Sequence, residues 1–295
     1  MKLRWYSWAG IALLAIVLIA VAGIAWIVNT NAGARWVLAR AQGFLGEALQ
    51  VERVDGSLAG PFTLTNLTYR DPTAGIDVSA EHVHVDLAFR KLFGMTVHVV
   101  TAELRGVDVR LTEPTAPQPE PPIEKEPFTL EAPIDIVVDR FELRDLEVTN
   151  REQPVVAIDS AAFIGQWIGS ALAIRQLDVQ SPDGEVHFVA DVRQGRYYEG
   201  EGNGRFRWKA GERTFAGSLE ANGRDGAVNL GLDLTTPLVA KLAVELQQTD
   251  ELPWKLGLEA PTFDPREALL PDTSIRTLAA RLHGAGSLRE GTIAG

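Results

Sequence analysis

Hydrophobic and polar positions along this chain change period twice. From Ala9 to Val28 there is no period: AGIALLAIVLIAVAGIAWIV carries no charge. A helix of about 20 residues rises roughly 30 Å, the thickness of a hydrocarbon core, so the run predicts a transmembrane helix over 9–28. Lys2 and Arg4 lie in the tail before it, which places residues 1–8 in the cytoplasm and the chain from Asn29 on the far side. Trp5, Tyr6, Trp8 and Trp26 suit the two membrane interfaces. A cleaved signal peptide is the competing reading. Its Ala20-x-Ala22 signal falls inside the apolar run, and the run exceeds a signal core of roughly 7–15 residues.

The second period is helical. Asn29, Thr30 and Asn31 are capping types, and Val37, Leu38, Ala41, Phe44, Leu45, Ala48 and Leu49 recur at helical spacing. Residues 29–50 read as a short amphipathic helix, lying on the membrane or packed on the next domain.

From Val51 the period becomes two. Val54, Phe62, Leu64, Leu67 and Tyr69, then Val78, Ala80, Val83, Val85 and Leu87, then Val97, Val99, Val107, Val109 and Leu111 mark strands over 51–112. The phase slips by one between Ala80 and Val83. A bulge or bend must absorb such a slip, or the apolar face would turn outward. The same slip separates Ile136 and Val138 from Phe141 and Leu143. Between them, residues 113–133 are rich in proline and acid and read as an extended loop. Alternation resumes over 134–295, with turn chemistry at Ser181-Pro182-Asp183-Gly184, Lys209-Ala210-Gly211-Glu212 and Asn222-Gly223-Arg224-Asp225-Gly226. One further helical piece stands out near Pro265 to Leu270.

The pattern therefore predicts a mainly β protein. An N-terminal transmembrane helix and a short amphipathic helix precede an antiparallel β meander. Few amphipathic helices are available to cover its apolar face. The meander must pack on a second sheet, close into a barrel, or curl into an apolar-lined groove. Aromatic residues are only 7% of the chain, so the presumed lining of Val, Leu, Ile and Ala is thin. Such a lining suits acyl chains, and equally an ordinary sandwich core.

Composition narrows the function. Cysteine is absent, which removes disulfide and thiolate chemistry. The formal net charge of −11 repels nucleic-acid phosphates. His82, His84 and His98 alternate against valines and fall on the polar side, without the spacing of a zinc motif. Gly200, Gly202 and Gly204 form a GxGxG without phosphate-loop context, and read as a hairpin turn. Asp135, Asp139, Asp145 and Glu147 read as solvated carboxylates. No catalytic residue, metal site or cofactor is expected, and the chain reads as a non-enzyme.

Gly56-Ser57-Leu58-x-Gly60-Pro61-Phe62-x-Leu64-x-x-Leu67-x-Tyr69-x-x-Pro72, then Leu92 leading into Val97 and Leu104-x-Gly106-Val107-x-Val109-x-Leu111, resembles the N-terminal region of the TamB family. That family is similar to the wider AsmA-like, bridge-like lipid-transfer proteins. The resemblance implies an inner-membrane anchor, a periplasmic apolar β groove, and a TamA-like outer-membrane barrel partner met through a C-terminal region absent here. It implies work in outer-membrane biogenesis, by phospholipid transport, by barrel and autotransporter insertion, or both. Gly286-Ser287-Leu288 echoes Gly56-Ser57-Leu58, so the chain reads as truncated within a repeat. The expected partners are the inner membrane and phospholipid acyl chains, with no nucleic acid. The expected groove lining is Val78, Val83, Val85, Leu87, Val97, Val99, Val107, Val109, Ile136, Val138, Phe141 and Leu143. The alternative is a periplasmic scaffold that binds protein strands by β-augmentation.

Overall fold

The computed structural model describes residues 30–36, 40, 48–57, 59–113, 129–268, 274–288 and 290–295. The apolar run 9–28 and the proline-rich stretch 114–128 lie outside them. Among the described residues, no helix is long and apolar enough to cross a membrane. Residues 31–36 are helical, and Thr30 caps them: its Oγ1 accepts a hydrogen bond from Gly33 N at 3.0 Å. Leu49 and Gln50, expected at the end of the helix, open a strand instead, and residues 37–39 and 41–47 of that expected helix lie outside the described residues. The chain divides into two units, Met1–Pro119 with Glu147–Val155, and Glu120–Leu146 with Val156–Gly295.

In the first unit β1 (Leu49–Gly56), β2 (Phe62–Asp71), β3 (Ile76–Leu87) and β4 (Thr96–Leu111) pair antiparallel in sequence order. The Asp71 carboxylate closes the β2–β3 turn by accepting from Thr73 N and Ala74 N at 2.9 and 3.1 Å. A 3₁₀ turn, Phe89–Gly94, joins β3 to β4 and was not signalled by the alternation.

The slip at Ala80/Val83 has a specific cause. Glu52 on β1, Asn66 on β2, Glu81 on β3 and Gly106 on β4 lie level with one another, in the one row where the β1–β2, β2–β3 and β3–β4 pairings are all interrupted. Asn66 and Gly106 are both left-handed, at φ 51° and 61°. The register resumes in step beyond this row with no residue inserted on either strand, so it is an aligned kink and not the bulge that the slip called for. All four strands change phase together, and the apolar positions stay on one face. A true bulge occurs further along, between Asp86 and Leu87 against β4.

β5 (Asp135–Asn150) and β6 (Gln153–Ile168) follow. In the second unit β6 leads into β7 (Ala171–Ser181), β8 (Gly184–Gln194), β9 (Tyr198–Ala210), β10 (Arg213–Arg224), β11 (Ala227–Thr236) and β12 (Ala240–Gln247). β13 (Trp254–Phe263), β14 (Leu278–Gly286) and β15 (Gly291–Ala294) complete it. Each pairs with its sequence neighbour, antiparallel throughout. Of the expected helical piece Pro265–Ala268 is helical, and Asp264 accepts from Arg266 N at 2.9 Å as an N-cap ahead of a first-turn proline, while residues 269–270 lie outside the described residues. Gly200, Gly202 and Gly204 do not form a hairpin turn. They sit inside β9, because the true turns lie at its two ends.

The polar faces carry cross-strand ion pairs at directly opposed positions: Arg70–Asp77 at 2.8 Å, Lys241–Asp233 at 3.2 Å, Lys255–Glu245 at 3.6 Å and Arg281–Glu259 at 3.1 Å. Each contributes a few tenths of a kcal/mol to about 1 kcal/mol, and together they discourage register slips.

Candidate functional site: an uncovered apolar face

Opposed residues of an antiparallel pair point to the same side, so the registers map each face directly. In the first unit Tyr69, Val78 and Val109 form one row, Leu67, Ala80 and Val107 the next, and Leu64, Val83 and Leu104 a third. Phe62, Val85 and Ala102 form a fourth, and Leu87 faces Val99 past the bulge. Val97 lies two residues before Val99, on the same side. Eight of the expected lining residues thus share one face. The sequence reading omitted Ala102 and Leu104, hidden between the kink at Gly106 and the bulge after Val99. Ile136, Val138, Phe141 and Leu143 are half-buried on β5, where the exposed pair Asp139–Arg140 separates the two couples. A left-handed Asp145 marks a further change of phase before Leu146.

The second unit repeats the arrangement over more strands, and none of its rows beyond β5 were in the expected set. One row runs Ile174, Ala190, Gly202, Ala221, Leu230, Val244, Leu256, Gly284, Ile293. The adjacent row runs Leu177, Phe188, Gly204, Leu219, Leu232, Leu242, Leu258, Leu282. The β9 glycines therefore belong to this face. The Phe188 ring lies over them, since a Cβ on Gly204 would stand 3.0 Å from Phe188 Cδ2 and one on Gly202 3.6 Å from Phe188 Cζ.

Burial decides what this face is. In a sandwich, inward residues are closed off by the opposing sheet. Here the buried apolar residues among those described are Ala34, Val54, Ala80, Ala102, Val107, Leu130, Ala240 and Ala260, five of them alanines. Leu219 and Leu230, in mid-sheet, remain 37% and 36% exposed. Among the described residues no second sheet is laid over the rows, and the helical residues 31–36 meet the first sheet at Val54 and Asp55.

The opposite face is polar. His84 Nδ1 lies 3.0 Å from Thr63 Oγ1, and His82 stands between Thr65 and Arg105 in register. A hollow of about 760 Å³ opens in the second unit, lined by Asp178, His187 and Arg205 of the polar side together with Val179, Val186 and Phe206 of the apolar side. Hydrogen bonds from His187 and Gln176 hold the Asp178 carboxyl below the usual carboxylate range. Both His187 and Asp178 remain substantially exposed. The apolar face is thus an open surface rather than a closed cavity. Among the described residues no cluster of His, Asp and Glu could hold a metal ion.

Residues 20–156 match the family model described as TamB, N-terminal domain. No solved structure matches the chain.

Proposed function

We propose that this chain, whose residues 20–156 belong to the TamB N-terminal domain family, carries phospholipid acyl chains along its uncovered apolar face, between the inner and outer membranes. The family points to a role in outer-membrane protein assembly or lipid transport. The observation that favours lipid is the pair of rows across β7–β14, one of them continuing to β15, with leucines left open in mid-sheet. Such rows offer an acyl chain continuous apolar contact, worth roughly 0.8 kcal/mol per buried methylene, and no hydrogen-bonding group to satisfy. In this reading residues 9–28 tether the chain to the inner membrane, the bulk is periplasmic, and an outer-membrane barrel protein receives the far end. The residues act passively, with no catalytic step.

A second reading rests on β1, which stands at one edge of the sheet and among the described strands pairs only with β2. A strand of a client barrel could add there by main-chain hydrogen bonds. Photo-crosslinkers distinguish the two. At Val85, Val109, Leu143 and Leu232 they should capture phospholipid in native membranes, and at His84, Asp108 and Asp233 they should not. Equal lipid capture on both faces, or protein adducts confined to β1, would end the lipid reading.

A further inference from the structure

We infer that the turn between β3 and β4 is a membrane-docking tip, which inserts Phe93 and Met95 into an anionic lipid surface while Arg90 and Lys91 meet the phosphates. Phe93 is 83% exposed and Met95 65%, the two highest values among the large apolar residues outside the C-terminal strand region. They are held out by a built turn. Ala88 N donates to His98 O at 2.9 Å, Lys91 N to Ala88 O at 2.8 Å, and Met95 N to Leu92 O at 3.1 Å, with Met95 left-handed at φ 58°. Phe89 meets Phe93 edge-on at 6.2 Å between ring centroids, which braces the exposed ring from behind.

Charge selects the occupant. The chain carries a net −11, yet Leu87 to Val97 contains Arg90 and Lys91 and no acidic residue. An apolar tip flanked by two cations suits an acyl boundary under phosphates better than a protein surface of either sign. Position agrees. The helical residues 31–36 sit at the same end of the first sheet, because Arg35 Nε donates to Val54 O at 3.4 Å and its Nη2 lies 3.9 Å from Asp55. Val54 is in register with Leu64, Val83 and Leu104, on the way to the tip. The apolar run of the sequence ends at Val28, just ahead of that helix. Trp36 is 48% exposed there, with the Arg40 guanidinium 5.5 Å from its ring centroid, a pairing suited to a membrane interface.

The absence of cysteine makes the test clean. Phe93→Cys, Met95→Cys and, as a control, Asp233→Cys each carry one environment-sensitive fluorophore on the full chain, reconstituted in vesicles of phosphatidylethanolamine and phosphatidylglycerol. Labels at 93 and 95 should shift to the blue and be quenched by spin-labelled lipid, and the label at 233 should do neither. Arg90→Ala and Lys91→Ala should each lower tip partitioning by about fivefold, and phosphatidylcholine vesicles should weaken it similarly. Three results overturn the inference: labels at 93 and 95 that stay in water, a blue shift without lipid quenching, which means a protein occupant, or quenching indifferent to lipid charge. Lipid crosslinking at Val85 reads the apolar face separately, so either idea can fail alone.

Discussion

At the scale of single residues, the kink row is the feature on which the first apolar face depends. Gly106 is left-handed, and a Cβ there would stand 2.6 Å from the Glu81 side chain. Glu81 can swing away, but the backbone cannot leave φ 61° without breaking the common phase of four strands. Gly106→Ala should therefore destabilise the protein by about 1–2 kcal/mol in denaturant unfolding, and Glu81→Ala in the same chain should not restore it. Full rescue by the second substitution would show side-chain crowding, not backbone strain. A second residue-scale expectation concerns Asp264. Hydrogen bonds from the Arg266 side chain and backbone N–H lower its carboxyl to about 2. A depressed carboxyl contributes its stabilisation above the ordinary carboxylate range and loses it as pH falls through about 2. Carboxyl NMR titration should find that low midpoint, and Arg266→Ala should move it upward. An unchanged midpoint would show that the side-chain pair is not the cause.

Individual strands show which features the alternation could and could not reveal. Period two located most of them, because one side of each is half-buried and the other charged. In β6 the alternation marks only Val155 to Ile158, since Ser160, Ala161 and Ala162 are too small to label a face, although the strand runs to Ile168. It misplaced the GxGxG for a related reason: glycine carries no face label, so three on one side of β9 look like a turn. The structure gives Gly202 and Gly204 a different role, as a floor under Phe188, and sets Gly200 against the β8 backbone. Gly200 shows the constraint most sharply. At φ 146°, a Cβ there would stand 2.0 Å from Asp191 O on β8, whereas a Cβ on Gly195 would meet nothing within 4 Å. Gly200→Ala should cost roughly 1–3 kcal/mol and expose β8–β9 amides to hydrogen exchange. Gly195→Ala should leave both unchanged. Equal effects would mean that β9 does not hold its glycines against β8 as described.

Across the molecule, both units present the same unresolved pairing: a continuous apolar side and, among the described residues, no second sheet laid against it. Sequence alone left sandwich, barrel and groove open, because alternation reports that a face is apolar and not what covers it. The candidate site was legible where valines recur without interruption, as in Val78, Val83 and Val85. It was illegible beyond Leu143, where glycine and alanine thin the rows. Charge substitution decides what the face is for. In a packed core, an aspartate leaves a charge buried without a partner and destabilises by several kcal/mol. On an open face its carboxylate stays hydrated, and the cost should be below about 1 kcal/mol. Val85→Asp in the first unit and Leu230→Asp in the second should therefore fold with near-normal unfolding midpoints. Each should nevertheless depress lipid capture at crosslinkers on the same face, because a hydrated charge interrupts the apolar row that an acyl chain must follow. His84→Asp, one position away on the polar side, should change neither. Should Leu230→Asp unfold the second unit, its rows would be an ordinary core, and the surface available to lipid would shrink to the first four strands.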